Sequence, residues 1–529
     1  MSEGAQKKQE KPRRFQAIRG TRDLLPPDTA LWNHVDQTAR EVFARFGYGE
    51  IRPPIFEATE LFARGVGGET DIVSKEMYTF VDRIEKLADP AKLADYGTFI
   101  EQAEKLIQTE ELPDITGNRL ALRRMKDIWD GVKAFMSGEA IPSEAERAVV
   151  EELYRMIILK DSMELGQRIS LRPEATASVC RAYIEHNMQQ WPQPVKLYYI
   201  GPMFRRERPQ KGRYRQFYQI GAEVLEVVRP DAAKDAGKEL AKDAAVDAEV
   251  IEMLMTFFER IGLQGTELSV NSIGHAADNC RRGYVAKLRE ELQKVKEQLG
   301  ADSQRRIETN PLRVLDSKLE HEQAIIAKLP HIADHLCDEC KAHYAELKRQ
   351  LGLRGVAYKE NWRLVRGLDY YMRTTFEITA RGLGSQDAVC GGGRYDGLVE
   401  LLGGPPTKGI GFAIGEDRVI LSLQEQKSPQ AATLRVGLDV YVTWMGENAY
   451  TTALHAAKTL RGAGFRVDMP ASELKFGKAL ERASKLNARF ALILGDNEVQ
   501  SGEWTVKNLA DGSQQKLTEA ALLEYLRRL

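Results

Sequence analysis

The segment Phe204–Phe217 constrains the fold and the chemistry of this chain more than any other part of the sequence. Between Arg205 and Gln216 it holds five arginines and one lysine, interleaved with aromatic residues, and Pro209–Gly212 predicts a turn. Arginine forks match phosphate oxygens in pairs, and aromatic faces accept stacked bases. The segment therefore predicts a hairpin that contacts a nucleotide, and a solvated charged hairpin is the alternative.

Length and charge limit the classes of protein to which this chain can belong. At 529 residues it exceeds one compact core, so we expect roughly three or four modules. Hydrophobic residues make up 43% and charged residues 29%, the balance of a folded protein in water. A formal net charge of −1 argues against nonspecific coating of nucleic acid but permits a local basic surface.

Targeting signals and cysteine usage predict the compartment. No apolar run approaches the roughly 18 to 20 residues that a membrane helix needs. Met1–Arg14 is polar, carries both signs of charge and lacks the apolar region of a secretory signal. Five scattered cysteines are too few for a disulfide framework. We therefore expect a cytoplasmic protein without a membrane partner.

The last hundred residues have the pattern of a separate domain. Val436, Leu438, Val440 and Val442 alternate like a strand with one buried face, and Phe490–Leu494 reads as a buried strand. Helix-like sequence lies between them. This alternation predicts a small α/β domain with a parallel or mixed sheet.

Three segments resemble the defining motifs of one enzyme class. Phe204–Phe217 resembles motif 2 of the class II aminoacyl-tRNA synthetases, Pro54–Phe80 resembles motif 1, and Gly409–Arg418 resembles motif 3. Asp417 stands where motif 3 usually has Glu, which removes one methylene but no charge.

Three further segments resemble those of the histidine-specific family within that class. Leu171–Thr176 is similar to its amino-acid-binding loop, although Ala175 stands where Gly is usual. Leu364–Tyr371 and Gly391–Leu398 are similar to its two histidine signatures. Any one motif is weak or moderate evidence, but six in the family's order make the resemblance specific.

The resemblance implies a set of arginines for the chemical step. Adenylation brings a carboxylate to the α-phosphate of ATP, and these anions repel, so fixed cations are needed. The implied catalytic residues are Arg366 and Arg205, with Arg366 the distinctive one; an ion pair with Asp369 is its alternative. The implied ATP-binding residues are Arg205, Arg213, Phe217 and Arg418.

The resemblance also implies a polar pocket for the substrate side chain. A pocket that hydrogen-bonds both imidazole nitrogens rejects apolar analogues, because its own buried groups would go unpaired. The implied histidine-binding residues are Glu174, Ala175, Thr176, Arg205, Gln219, Glu223, Arg366, Tyr370, Tyr371 and Tyr395. Glu223 and Tyr371 would contact the imidazole, and Glu174 would bind the α-amino group. The alternatives are an N-cap or a surface charge for Glu174 and Glu223, and core packing for the tyrosines. A first-turn helix role for Glu174 is compatible with ligand contact. The run of glycines Gly391–Gly393 fits a backbone that must pass close to a ligand, and a mobile turn is the alternative.

The implied fold is α+β: an antiparallel class II sheet with flanking helices, helical insertions and a C-terminal α/β anticodon-binding domain. The implied domains are a polar tail at 1–14, the first catalytic part at 15–83 and 166–270, an extra helical insertion at 84–165, a helical insertion domain at 271–360, the last catalytic part at 361–424, a linker at 425–432 and the anticodon-binding domain at 433–529. The insertion at 84–165 departs from the family pattern.

The implied partners follow from the family's reaction. They are L-histidine, ATP as substrate, Mg²⁺ carried with ATP, and tRNA(His). Arg208 and Gln210, in the motif 2 loop, would face the acceptor end of the tRNA. Motif 1 lies at a dimer interface in this class, so a homodimer is implied.

The cysteine-rich stretch is a candidate metal site. His335, Cys337, Cys340 and His343 offer four zinc ligands within nine residues. Structural zinc sites usually draw ligands from separated segments, because one short helix cannot easily close a tetrahedron. The sequence therefore favours a buried or half-buried helical cysteine pair, with zinc as the alternative, and we expect no metal ligands.

A regulatory binding protein is the alternative function. The synthetase-like subunit of ATP phosphoribosyltransferase shares the catalytic fold and would bind histidine without charging tRNA. It typically lacks the anticodon domain and loses catalytic residues, whereas Arg205, Arg366 and a C-terminal domain are present here. A different class II ligase is disfavoured by the two histidine signatures.

Overall fold

A computed structural model describes residues 15–68, 70–83, 166–229, 235–366, 368, 370–382, 387–427 and 437–528. The predicted tail at 1–14, the insertion at 84–165 and most of the linker lie outside these residues. The chain divides into two compact units: Met1–Asp23 with Val35–Ser428, and Leu24–His34 with Pro429–Leu529. Every helix in the described ranges is too short or too polar to cross a membrane.

An eight-stranded sheet is the centre of the first unit. Its spatial order is β1 (Gly49–Glu50), β5 (Val195–Phe204), β6 (Gln216–Val227), β11 (Thr407–Gly415), β10 (Ala388–Arg394), β9 (Met372–Thr379), β7 (Glu267–Ser272) and β8 (Lys359–Glu360). The six inner strands pair antiparallel, while the two-residue edge strands pair parallel. The predicted antiparallel sheet and α+β class are confirmed.

A smaller antiparallel sheet lies beside the motif 1 segment. Its order is β2 (Phe56–Ala58), β4 (Gly166–Leu171) and β3 (Tyr78–Arg83). Strand β4 leads directly into the predicted amino-acid-binding loop. The end of motif 1 and that loop are therefore neighbours in space, although the 84–165 segment separates them in sequence.

Helices cover the large sheet and fill the segment after β7. Among the described residues between 29 and 425, the α-helices are α1 (Thr29–Arg45), α2 (Thr59–Phe62), α3 (Thr176–Glu185), α4 (Ala236–Arg260), α5 (Arg281–Lys294), α6 (Ala301–Thr309), α7 (Glu320–Ile326), α8 (Asp338–Leu353), α9 (Leu398–Leu401) and α10 (Glu416–Glu425). In α1, Val35, Ala39 and Val42 are fully buried at helical spacing, so one face of this helix packs into the core. Helix α8 packs along α4 and contacts β7 and β9.

The second unit holds a five-stranded mixed sheet. Its order is β13 (Val467–Asp468), β12 (Val440–Trp444), β14 (Phe490–Leu494), β15 (Trp504–Asn508) and β16 (Gln514–Leu517). The helices of this part are α11 (Glu447–Gly462), α12 (Phe476–Lys485), α13 (Asp496–Ser501) and α14 (Glu519–Arg527). The first three strands pair parallel and the last three antiparallel. The predicted mixed sheet is present.

One prediction about this sheet is wrong. All five residues of β12 are buried, whereas the alternation predicted one buried face. Val440 and Val442 pack with Ala453 of α11, and Tyr441 packs with Ala479 of α12. A central strand covered by helices on both faces is apolar at every position, so alternation fails there.

A buried ion-pair network fixes α4 to the large sheet. Arg394, at the end of β10, is 2% exposed, and its Nη2 donates to Asp247 of α4 at 2.5 Å. Its Nη1 donates to Asp396 at 2.9 Å, and the hydroxyl of Thr374 on β9 donates to the other Asp247 oxygen at 2.6 Å. Every charge in this network has an opposite charge or a hydrogen-bond donor beside it, which is the condition for burying charge.

We expect Arg394→Met to lower the free energy of unfolding by about 3–5 kcal/mol, because it leaves the Asp247 carboxylate buried without a cation. Urea unfolding followed by circular dichroism measures this. Arg349→Met is the matched control: Arg349 is largely exposed and pairs with Glu346 one turn away, so its removal costs about 1 kcal/mol or less. Equal losses in the two variants would contradict a structural role for the buried network.

Candidate active site

A cavity of about 260 Å³ opens on the large sheet. Ten of the residues predicted for substrate binding line it: Glu174, Thr176, Arg205, Arg213, Phe217, Gln219, Arg366, Tyr370, Tyr371 and Arg418. They come from four separate segments of the chain. The antiparallel pairing of β6, β11, β10 and β9 brings these segments together, with Gln219 opposite Gly415 and Gly391 opposite Glu377.

Arg205 is held against the floor of the cavity. Its Nε donates to the carbonyl of Pro173 at 3.0 Å, and its guanidinium lies 5.2 Å from the centre of the Phe217 ring. A Glu207 oxygen lies 3.8 Å from Nη1. These contacts leave Arg205 in the cavity lining, between the amino-acid-binding loop and the motif 2 hairpin.

Arg366 is fixed by an acidic partner and by a glycine. Its Nη1 donates to Glu377 of β9 at 3.2 Å, whereas the predicted alternative partner, Asp369, lies outside the described residues. A Cβ placed on Gly391 would collide with the Arg366 guanidinium, so glycine is required for this approach. The Gly391–Gly393 run is part of β10 rather than a mobile turn.

Two observations make Arg366 a candidate ligand-binding group. Its buried Nε has no hydrogen-bond partner among the described residues, nor has Oε1 of Gln219, which also lines the cavity. Buried polar groups are normally paired, so unpaired ones beside a cavity point to a ligand. Burial lowers the pKa of Arg366, but the charges of Tyr371 and Glu377 outweigh it and hold that pKa above its ordinary value. The group is a permanent cation.

Arg213 and Arg418 add positive charge to the same cavity. Arg418 Nη1 donates to the carbonyl of Ala388 at 2.8 Å, and Arg213 Nη1 lies 3.4 Å from Glu207. Burial and the neighbouring Arg213 lower the pKa of Arg418. The repulsion between these cations is relieved when an anion enters, so the cavity suits a ligand with several negative charges.

Glu174 combines a helix-capping position with a place in the cavity lining. Its two carboxylate oxygens accept hydrogen bonds from the backbone N–H of Thr176 at 2.7 Å and of Ala177 at 3.0 Å. Glu174 precedes α3 rather than lying in its first turn, so it accepts from the N-terminal N–H groups of the helix and also lines the cavity. Burial raises the pKa of Glu174, and the two backbone donors oppose that shift.

Glu223 lies beneath the cavity rather than in its lining. It is 1% exposed, and its carboxyl oxygens accept from the hydroxyls of Tyr395 at 2.5 Å and Thr176 at 2.7 Å. Burial raises the pKa of Glu223 to about 8, and both hydroxyl donors oppose that shift. A Cβ on Gly411, directly opposite on β11, would occupy the position of this carboxyl group. Ala175 and Tyr395 likewise lie outside the lining, so three predicted histidine contacts are one layer behind it.

The tyrosines form an aromatic wall next to this carboxyl group. The Tyr370 ring lies 4.7 Å from that of Tyr371 and 5.6 Å from that of Tyr395. Tyr370 and Tyr371 reach the cavity, while Tyr395 supports them from behind and bonds Glu223. The wall therefore presents two phenol groups to a bound ligand.

Arg208 and Gln210 are exposed in the loop between β5 and β6 and do not line the cavity. The loop turns through a bridge between Gln210 and Arg213, with Gly212 at φ 76°. The predicted turn is present. The roles of these two exposed side chains stay predictions.

Sequence reasoning missed residues that hold the motif 2 hairpin. Arg22 donates to Asp417 at 2.5 Å and lies over the Tyr214 ring, 4.0 Å from its centre. The other Asp417 oxygen accepts from the backbone N–H of Tyr218 at 2.9 Å. No local pattern indicates a partner at such sequence separation. Glu377 was missed for the same reason, since it is an ordinary acidic residue within a strand.

The fold and site define the class II aminoacyl-tRNA synthetases, in which an antiparallel sheet carries the three motifs. The sequence profile described as "Histidyl-tRNA synthetase" matches residues 20–87 and 141–419, and that described as "Anticodon binding domain" matches 439–529. The chain belongs to the histidyl-tRNA synthetase family, which confirms the resemblance drawn from the motifs.

Individual relatives agree with this assignment. The chain is 45% identical to a protein of Koribacter versatilis and 43% identical to one of Solibacter usitatus, both named "Histidine--tRNA ligase". The alignments cover 97% and 95% of this chain and 96% and 97% of those proteins. The crystal structure of apo S. aureus histidyl-tRNA synthetase superposes with a TM-score of 0.65 at 31% identity, covering 97% of this chain and all of that one.

The buried Glu223 carboxyl predicts a pH-dependent stability. Its pKa of about 8 lies above the ordinary 4.5, so the folded protein keeps a proton that the unfolded chain releases between these values. This contribution to stability is complete below about pH 4.5 and is lost as the pH rises toward 8. Glu223→Gln cannot ionise, so its stability relative to the unmodified protein should rise by about 5 kcal/mol across this window.

Thermal unfolding between about pH 5 and pH 9 measures this difference. Glu185→Gln, at an exposed position in α3, is the matched control. A stability difference between Glu223→Gln and the unmodified protein that stays constant with pH would show that Glu223 is ionised throughout.

Proposed function

We propose that this protein activates L-histidine with ATP and transfers the histidyl group to the 3′ end of its tRNA, as a histidine–tRNA ligase. The observation that carries the proposal is the cavity itself. It joins four arginines, including one with an unpaired buried Nε–H, to a polar region formed by Glu174, Thr176 and Tyr371. Such a cavity accepts a polyanion at one part and a polar amino acid at the other.

The arginines serve the first step. A histidine carboxylate oxygen attacks the α-phosphorus of ATP, the bond to the β-phosphate oxygen breaks, and pyrophosphate leaves. Arg205 and Arg366 hold the two anions together and balance the charge that develops between them. Arg213 and Arg418 neutralise the outer phosphates, and Phe217 stacks on the adenine.

The layer behind the cavity serves selection. Glu223 and Tyr395, behind the lining, form a buried hydrogen-bonded group with Thr176 of the lining. An imidazole reaching this layer exchanges hydrogen bonds with it, whereas an apolar side chain would cover polar groups without pairing them. Glu174 holds the α-amino group by its negative charge, and the side-chain amide of Gln219, which lines the cavity, donates an N–H to the carboxylate.

Mg²⁺ enters with the phosphates of ATP. Glu207 and Glu377 line the cavity, and their carboxylate oxygens are the hard donors that Mg²⁺ prefers. Both carboxylates pair with arginines of the cavity, so they would hold the ion only together with the substrate phosphates.

The second step uses surfaces outside the cavity. The 3′-terminal ribose hydroxyl of the tRNA attacks the histidyl carbonyl, and AMP leaves. Arg208 and Gln210 contact the acceptor end from the exposed motif 2 loop, and the C-terminal domain binds the anticodon. The cytoplasm is the proposed location.

A homodimer is proposed from the motif 1 sheet. Phe56, Tyr78, Phe80, Ile169 and Leu171 stand at alternate positions of its three strands, so they share one face. Phe56 is 56% and Phe80 45% exposed. An exposed apolar sheet face of this kind is a protein-interaction surface, and a second copy of the chain is the proposed partner.

The regulatory alternative predicts a different site. A histidine sensor needs the polar pocket but has no use for four arginines at its mouth. The two relatives reported above are both named "Histidine--tRNA ligase", and this chain aligns with nearly the whole length of each.

Pyrophosphate exchange tests the activation step. We expect ATP–pyrophosphate exchange with histidine and no other amino acid, and an approximately 100- to 1000-fold loss in Arg366→Ala. Arg363→Ala is the matched control, because Arg363 bonds Gln323 at 2.9 Å and lies outside the cavity lining. Absent exchange in the unmodified protein would favour a regulatory binding protein.

Aminoacylation of tRNA tests the role of the motif 2 loop. Arg208→Ala should leave pyrophosphate exchange unchanged and lower charging of tRNA(His) by about tenfold, the cost of roughly one charged contact. Lys211→Ala, in the same loop but with its ammonium paired to Glu425 at 2.7 Å, is the control. A parallel loss of exchange in Arg208→Ala would place that residue at the ATP site instead.

A further inference from the structure

Two segments of the chain bring four metal-binding side chains together outside the active site. His275 and Cys280 lie between β7 and α5, and Cys337 and Cys340 lie at the start of α8. One ligand atom from each falls within 4.8 Å of all the others. This set differs from the sequence-based candidates, since it excludes His335 and His343 and draws two ligands from a distant segment.

The reason for the difference is the position at which α8 begins. Cys337 is not in the helix but precedes it, with extended backbone, and its sulfur accepts a hydrogen bond from the backbone N–H of Cys340 at 3.5 Å. The two sulfurs are therefore turned to the same side. The sequence predicts that both cysteines lie inside one helix, where the ligands cannot easily surround a metal ion tetrahedrally.

The distances within the cluster fit a tetrahedral ion. His275 Nδ1 lies 3.1 Å from the sulfur of Cys340 and 3.7 Å from that of Cys337. Ligands at the usual zinc–sulfur and zinc–nitrogen distances of about 2.3 and 2.1 Å are about 3.6 Å apart in a tetrahedron. The cluster needs only small side-chain movements to reach that geometry.

The backbone of the first segment is shaped to aim both of its ligands inward. Gly274 has φ of 62°, and a Cβ there would meet the sulfur of Cys280. Arg281 N–H and Ala277 N–H donate to the carbonyl of His275 at 3.2 and 2.8 Å, which closes a tight turn between the two ligands. Cys280 and Cys340 are buried, so an ion between them would be shielded from water.

We infer that His275, Cys280, Cys337 and Cys340 form a structural Zn²⁺ site. Three thiolates and one imidazole match the softness and the coordination number of zinc. All four positions are filled by protein, which is the pattern of a structural ion without an open catalytic position.

The zinc site connects the helices that follow β7 to the backbone beside the substrate pocket. The carbonyl of Gly274 accepts from the backbone N–H of Arg373 at 2.8 Å, at the start of β9. The side chain of Arg281, next to Cys280, donates to the carbonyl of Tyr371. The ion would therefore fix the backbone from Tyr371 to Arg373, at the end of the tyrosine wall, without touching a substrate.

Metal analysis of the full-length protein tests this inference. Protein purified in reducing buffer, without chelator or metal-affinity tag, should contain about one Zn²⁺ per chain by mass spectrometry. After exchange, Co²⁺ should give the strong visible bands of a tetrahedral site and the ultraviolet band of thiolate coordination. Unmodified protein that holds no zinc and gives neither cobalt band would overturn the inference, as would a native disulfide among these cysteines.

Variants assign the ligands. Cys337→Ser and Cys340→Ser should each lower the bound zinc to about a tenth or less at the same total metal. His335→Gln, whose ring lies beside Tyr284, is the matched control and should keep its zinc. Loss of zinc in His335→Gln with retention in Cys337→Ser would assign the metal to other residues.

Thiol reactivity decides the question if the cysteine variants do not fold. Chelator treatment of the unmodified protein should increase the reaction of three cysteines with a thiol reagent, and added Zn²⁺ should reverse the increase. Cys180 and Cys390, which are buried elsewhere in the unit, should not respond. Unchanged reactivity of Cys280, Cys337 and Cys340 would contradict a bound ion.

Discussion

Repulsion between guanidinium groups is the constraint on which the rest of the site depends. Arg205, Arg213, Arg366 and Arg418 line one cavity, and each would destabilise the others without nearby acceptors. Glu207 lies between Arg205 and Arg213, and Glu377 pairs with Arg366. These two carboxylates let the folded protein hold the cations in place before a substrate arrives. ATP then supplies the charge that the cavity lacks.

The sheet provides the precision that this arrangement needs. Neighbouring antiparallel strands fix the register of Glu223 against Gly411 and of Gly391 against Glu377. At Gly391 the missing side chain gives room to the Arg366 guanidinium, and at Gly411 it gives room to the Glu223 carboxyl group. Gly391 and Gly411 lie on the neighbouring strands β10 and β11, so the sheet itself positions the space for the Arg366 guanidinium and for the Glu223 carboxyl group.

The sequence predicted the residues of the cavity better than their contacts. Linear motifs identify Arg205, Arg366 and Tyr371 because each motif is a continuous stretch whose residue types match the chemistry. Glu377 and Arg22 could not be found this way, since each acts through a partner that only the fold brings close. Glu223 was predicted to touch the substrate, yet its position beneath the lining depends on strand register.

The same limit applies to the cysteine cluster and to β12. The sequence groups Cys337 and Cys340 with the histidines nearest to them in the chain. In the structure, the packing of α8 on β7 brings His275 and Cys280 beside them instead. Strand β12 is buried on both faces, so the prediction of one buried face from its alternating pattern was wrong. The predicted domain bounds stay predictions.

Calorimetry with a non-hydrolysable sulfamoyl analogue of histidyl-adenylate tests whether histidine and the nucleotide share one cavity, because this ligand occupies the polar pocket and the arginine cluster together. We expect it to bind at least about 100-fold more tightly than histidine alone, and about 100-fold more tightly than the leucyl analogue. An affinity no higher than that of histidine would contradict the claim that one cavity joins the amino acid to the nucleotide.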